Sequence, residues 1–304
     1  MIMNGKEKGY LLRRLDALAG NRKKALLLTG LAGFLWGTSF PAIKIGLQYM
    51  DAYTFAFLRF LVASLIMLPV LLLTKNFNFK FDKKRLILFL GVINGVAYLL
   101  QYVGMVFTTA SKSSLFINLS AVWVALLSPM MLKEHLGGKK ILGVMVSLIG
   151  VLLMTTNLNF LSLSQGTIMG DLLVISAGIV WAFFMVYNKP LVKDNRNLVQ
   201  SMTWLLLFTL LPLLPPASFS AGTFVSLPLD AWLAIFYTAI FCWVIPYYLW
   251  LKGLRHISAV TSSVVLLTEV IVAVAIAALA LGEVLTVISG VGALFIIIAI
   301  LLVS

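Results

Sequence analysis

The chain has 304 residues, 62% apolar and 11% charged, where soluble domains average about 45–50% apolar and about 25% charged. That excludes one soluble core of this length, and the recurring apolar runs of about 20 residues lack the alternation a transmembrane β-barrel needs. The net charge of +13 does not indicate nucleic acid, because Lys and Arg lie between the apolar runs and not in one domain.

In chain order, residues 1–24 form a basic segment with no apolar stretch leading to a cleavage site, so no cleaved signal peptide is expected. The apolar runs predict ten spans, near 25–46, 52–74, 85–107, 112–132 and 137–155, then 169–190, 197–214, 231–251, 258–280 and 284–303. Polar or turn-forming stretches separate them at Asn76–Asp82, Lys133–Lys140, Asn157–Gly166, Lys193–Asn197 and Pro215–Pro228. All but three of the 23 Lys and Arg fall on one side of this alternation. Lys44 and Lys112 fall opposite, and Arg59 falls inside span 2. This bias places both termini in the cytoplasm of a multi-pass inner or plasma membrane protein, where the N-terminal cluster also suits anionic lipid.

Much of the chain occurs twice. At an offset of 149, Gly104 meets Gly253, Ala110 meets Ala259, Ser113-Ser114 meets Ser262-Ser263, Glu134 meets Glu283 and Gly143 meets Gly292. At an offset of 145, Gly33 and Trp36 meet Gly178 and Trp181. Five spans per half is an odd number, so the second half enters the membrane inverted. The expected fold is an all-α membrane protein of ten transmembrane helices in two inverted five-helix repeats, over 25–155 and 169–303. Such folds place the substrate near the midplane, between the halves.

Several motifs fit this plan: Trp36-Gly-Thr-Ser-Phe-Pro41 in span 1, Arg59-Phe60 in span 2, Gly253-Leu-Arg-His-Ile-Ser-Ala259 before span 9, Leu267-Thr-Glu269 within it and Leu281-Gly-Glu283 after it. In their order and spacing the chain resembles the drug/metabolite transporter superfamily, in its ten-helix EamA branch, over residues 25–303. That resemblance implies a transporter of small metabolites, often amino acids or related amphipathic compounds, and often an exporter. The family often follows the span-9 Glu with Pro, where this chain has Val270, so no proline bend is carried over to that position.

Glu269 lies deep in span 9, where an ionised carboxylate costs about 2.5 kcal/mol or more. Two readings stand: a proton-coupling or substrate-amine site, and a protonated or hydrogen-bonded carboxyl that locks helices together. Arg59 suits either a snorkelling cation or a clamp for a substrate carboxylate. Lys112, beside Ser111, Ser113 and Ser114 at the start of span 4, suits either an interfacial cation or a site for an anionic group. In span 3, Asn94, Tyr98 and Gln101 share a helix face, with Tyr102 adjacent. Asn118, Trp181, Asn188, Trp243 and Tyr247 are further cavity candidates, with Trp36, Trp123, Tyr187 and Tyr248 as others. Trp and Tyr near span ends also fit an interfacial belt. The lone Cys242 reads as a small buried hydrophobe.

Phosphate-loop, H-E-x-x-H and CxxC motifs are absent from the sequence. No enzyme, cofactor or metal site is therefore expected. The partners expected are a small-molecule substrate, the bilayer and protons, with no nucleic acid. A secondary-active exporter working by alternating access is the leading reading. An uncoupled facilitator is the alternative, and a membrane sensor or scaffold is an alternative of another class.

Overall fold

The computed structural model describes residues 5–73, 83–161, 166–193, 197–218, 227–281 and 285–304, and every element among them is helical. Span 1 comprises α1 (Gly5–Gly37) and α2 (Ser39–Gly46). It is followed by α3 (Ala52–Leu73) and α4 (Lys84–Phe107). Span 4 is split into α5 (Ala110–Asn118) and α6 (Ser120–Leu132), and α7 (Gly138–Thr156) closes the first half. The second half holds α8 (Ile168–Lys193), α9 (Leu198–Ser218), α10 (Leu229–Ala239), a π turn (Ile240–Val244), α11 (Ile245–Leu254), α12 (Ala259–Leu266), α13 (Thr268–Leu281) and α14 (Val287–Val303). Among the described residues nine helical stretches are long and apolar enough to cross a membrane, and Val287–Val303 is a shorter apolar helix. The protein is a multi-pass membrane protein.

The helix pairings repeat when five spans are added to each member. Where α4 packs on α8, α11 packs on α1. Where α5 and α6 pack on α8, α12 and α13 pack on α1. The pairs α7–α14 and α3–α9 map onto themselves. These are the pairings of an inverted repeat. The paired glycines lie at these contacts. A methyl group at Gly253 would lie 2.8 Å from the Ala25 carbonyl oxygen, and one at Gly104 would lie 3.1 Å from that of Gly170. At the α7–α14 crossing, Gly143 and Gly292 bear on the carbonyls of Ala299 and Gly150 at 3.2 and 2.8 Å. Small residues let helix backbones approach where lipid supplies no hydrophobic drive to associate.

Polarity is arranged inside out. Leu73, Met130, Leu161, Ile168, Leu279 and Leu301 are exposed, while Thr29, Asn94, Ser128, Ser147 and Thr209 are fully buried. In water this pattern would be a liability; around a lipid-facing bundle it keeps polar groups inside the protein. There Ser147 and Thr209 donate to carbonyls of their own helices, while Thr29 Oγ1, Asn94 Oδ1 and Ser128 Oγ have no hydrogen-bond partner among the described residues.

Three features depart from the sequence-based expectation. Spans 4 and 9 are each broken in mid-membrane, at Leu119 and Leu267. At both breaks the ladder tightens to i−3 bonds, from the Val122 N–H to Leu119 (2.9 Å) and from the Val270 N–H to Leu267 (3.0 Å). No Pro or Gly occupies either break. The neighbouring helix accommodates them instead: Gly33 lies against the Leu266 carbonyl and Gly178 against that of Phe116, each 2.9 Å from where a methyl would sit. Helix α9 runs on through Pro215 and Pro216 to Ser218, proline's fixed φ being compatible with a helix although each ring removes a donor and crowds the carbonyl four residues before it. The expected break at Asn76–Asp82, part of that at Asn157–Gly166 and most of those at Lys193–Asn197 and Pro215–Pro228, together with Glu283, lie outside the described residues.

Glu134, by contrast, has a clear place. Both its carboxylate oxygens accept the Ala259 N–H, at 3.1 Å each, at the start of α12, where Ser258 also caps the Thr261 N–H. A carboxylate of the first half thus sits on a helix N-terminus of the second, the end that favours negative charge. Lys189 satisfies the opposite kind of orphan group, donating to the Leu254 and Ile257 carbonyls at 2.7 and 2.6 Å.

The glycine contacts lead to a paired test. Gly253→Ala should destabilise by about 1–3 kcal/mol through overpacking. Gly290→Ala, with nothing within 4 Å of the added methyl, should be neutral or stabilising by about 0.5–1 kcal/mol. Unfolding of the detergent-solubilised variants checks both.

Candidate functional site

Between the halves the chain builds an aromatic cluster around one cation. Arg59, two turns into α3, is 2% exposed. Its Nη2 donates to the Cys242 carbonyl (2.9 Å) and its Nη1 to the Tyr102 hydroxyl (3.2 Å). The guanidinium carbon lies 5.3 Å from the centre of the Tyr98 ring and 5.5 Å from that of Phe60. Its Nε is buried without a hydrogen-bond partner. No carboxylate forms an ion pair with Arg59 among the described residues.

The rings continue outward from this centre. Phe60 meets Trp243 at 5.7 Å, Trp243 meets Tyr247 at 4.5 Å, and Tyr98 meets Trp181 edge-on at 5.0 Å. Phe184 stacks on Tyr247 and Trp250, and Trp250 reaches Trp36 in α1 at 6.1 Å. Polar handles of these rings are bonded. The Trp181 indole donates to Gln101 (3.1 Å), the Tyr247 hydroxyl to Asn188 (2.7 Å) and the Trp250 indole to Ser262 (2.7 Å). Tyr98 lies within electrostatic reach of both Arg59 and Glu269. Glu269 is in the first turn of α13, just past the break in span 9, and its carboxyl makes no hydrogen bond or ion pair among the described residues.

Residues 23–156 and 168–304 both match the EamA-like transporter family. The chain belongs to that family. An "uncharacterized transporter" of Archaeoglobus fulgidus is 31% identical over 79% of this chain and 83% of its own length. YyaM, an "uncharacterized transporter" of Bacillus subtilis, is 27% identical over 92% of each chain. A Salmonella typhimurium protein named "Probable amino-acid metabolite efflux pump" is 27% identical over 83% of this chain and 85% of its own. A crystal structure with 13% identity superposes with a TM-score of 0.73, covering 92% of this chain and 96% of the other, and so shares the fold.

Within this EamA-family protein the candidate residues divide. Arg59, Tyr98, Gln101, Tyr102, Trp181, Trp243 and Tyr247 converge on the cluster, with Asn188 bound to Tyr247. Arg59 does not snorkel: it points into the protein and is held there. Trp243 and Tyr247 do not form an interfacial belt, being 2% and 1% exposed inside the protein. Asn94 donates to Thr209 (3.1 Å) in the α4–α9 contact, while its Oδ1 is buried without a hydrogen-bond partner among the described residues. Asn118 donates to the Ser114 carbonyl of its own helix (2.8 Å). Lys112 forms an ion pair with Asp171 (2.5 Å), which also accepts from Thr108, so this cation joins the two halves. Lys44 is exposed. Glu269 makes no hydrogen bond to a neighbouring helix among the described residues, which leaves a protonated carboxyl locking helices together beside the coupling reading.

Sequence reasoning missed Trp250 and Phe184. A signal for Trp250 existed: Trp243, Tyr247 and Trp250 have the same i, i+4, i+7 spacing as Asn94, Tyr98 and Gln101. Phe184 carries no such mark.

Gln101→Leu removes the acceptor of the Trp181 indole. It should cost about 1 kcal/mol of stability while weakening apparent substrate affinity several-fold more than that loss implies. Thermal unfolding and transport kinetics on one preparation separate the two effects.

Proposed function

We propose that the protein is a secondary-active exporter of small metabolites, amino acids or related amphipathic compounds, working by alternating access in the cell membrane with both termini cytoplasmic. The observation that carries this reading is the buried Arg59, a cation held by neutral acceptors among rings from both halves. A substrate carboxylate supplies the charge this arrangement lacks, and the rings suit an amphipathic body. A bare sugar would leave the aromatic walls poorly used. The amino-acid efflux name of the Salmonella relative agrees with this chemistry without deciding it. The repeats over 25–155 and 169–303 are the units that rock, with Arg59 and Tyr98 on one and Trp243 and Glu269 on the other.

Glu269 supplies the coupling. Its carboxyl makes no hydrogen bond or ion pair among the described residues beside the break in span 9, so water reaching it from one face at a time would link its proton to the conformation. Glu269→Gln, a mimic of the protonated form, should keep substrate binding and exchange in proteoliposomes and lose acceleration by an imposed pH step. A full pH response in the variant would instead indicate a facilitator or another proton site.

Topology is tested separately. Cysteines placed at Gln48 and at Ser304, both exposed, should react with an impermeant maleimide on the same side of the membrane only if the ten-span alternation is wrong. Labelling from opposite sides is expected.

A further inference from the structure

We infer that Pro246 is a positioning residue for this site, and that the ligand it serves carries a carboxylate. The inference rests on the reading of Arg59 as the substrate clamp.

In a helix each carbonyl accepts from the N–H four residues on. For Cys242 that residue is Pro246, which has none. The span is already displaced here by the π turn, where the Ile245 N–H reaches back to Ile240. The Cys242 carbonyl therefore lacks an i+4 partner in span 8, at a depth where water does not take that place. Arg59 takes that place through Nη2 at 2.9 Å. Its other named acceptor, the Tyr102 hydroxyl, is also neutral.

The choice of acceptor matters. Had an Asp or Glu oriented the guanidinium, its charge would be neutralised within the protein. A carbonyl fixes the plane of the group and leaves the charge for a ligand. The unpartnered Nε, fully buried, is one prong of the side-on fork that matches two carboxylate oxygens. An N–H at position 246 would draw the carbonyl back into the helix ladder and loosen Arg59. The remaining buried lysine of the far end, Lys112, is paired with Asp171, which favours a single negative charge on the ligand.

The test compares acids with matched amides: L-phenylalanine, L-leucine and L-methionine against their carboxamides. Binding is measured by calorimetry on the full chain in nanodiscs. The native protein should favour at least one acid over its amide by about tenfold or more, the worth of a charge-assisted hydrogen bond. Pro246→Ala should lose most of that preference while binding the amide about as well as the native chain. General damage to the fold would weaken acid and amide together. Arg59→Lys keeps the charge without the planar fork and should also lose the preference, so the idea stays testable if the proline variant fails to fold. An acid preference retained in Pro246→Ala, with Arg59→Gln abolishing it, overturns the role of Pro246 alone. Retention in Arg59→Gln or Arg59→Lys, or no preference in the native chain, overturns the clamp and this inference together.

Discussion

A guanidinium buried at membrane depth, without a counter-ion among the described residues, is the constraint on which the centre of the molecule depends. Moving such a group out of water carries an effective penalty of several kcal/mol. Hydrogen bonds to charged groups contribute about 1.5–3 kcal/mol each, and a desolvated cation–π contact about 2 kcal/mol. Two of each offset a penalty of that size. The rings are therefore part of the cation's solvation as well as apolar filling. Phe60 and Tyr98 must stand where they do, and the second-half rings pack around them. The open carbonyl of Cys242 ties this arrangement to the shape of span 8, so the first half's charge is held by the second half's backbone.

Around that centre the repeat works through contacts too close for side chains. Gly104 and Gly253, Gly143 and Gly292, and Gly33 and Gly178 each hold the same place in their own half. Because each pair bears on backbone carbonyls, the contact geometry is set by main chain and varies little with side-chain changes elsewhere. All of these contacts run between the halves, so the two repeats meet through close backbone surfaces of similar form.

The legible and illegible parts of the sequence divide along physical lines. Hydropathy periodicity and charge bias specify the spans, since lipid leaves few alternatives to a helix. The paired glycines were visible because only glycine fits a backbone contact of that kind. The mid-span breaks were not visible: Leu119 and Leu267 are ordinary helix formers, and the tightening is imposed by packing against Gly178 and Gly33. Arg59 and Lys112 looked alike in sequence, each a cation near the far end of a span. Their environments separate them, since Lys112 finds Asp171 in a helix 59 positions further on and Arg59 finds no such carboxylate. Asn94 shared its helix face with Tyr98, but one turn of α4 is enough to carry it into the contact with Thr209.

The grip of Glu134 on the first N–H of α12 bears on how readily the bundle changes shape. The bond spans the two halves at the end where the chain starts and finishes. It combines a charge-assisted hydrogen bond of about 1.5–3 kcal/mol with a helix-end interaction of about 0.3–1 kcal/mol. Parting the halves there would leave the amide and the carboxylate to water, which returns much of that energy. What remains is a small net contribution from this one contact. In the alternating access proposed above, such a latch adds to the resting bias between the two conformations, which a ligand shifts only through its differential affinity for them.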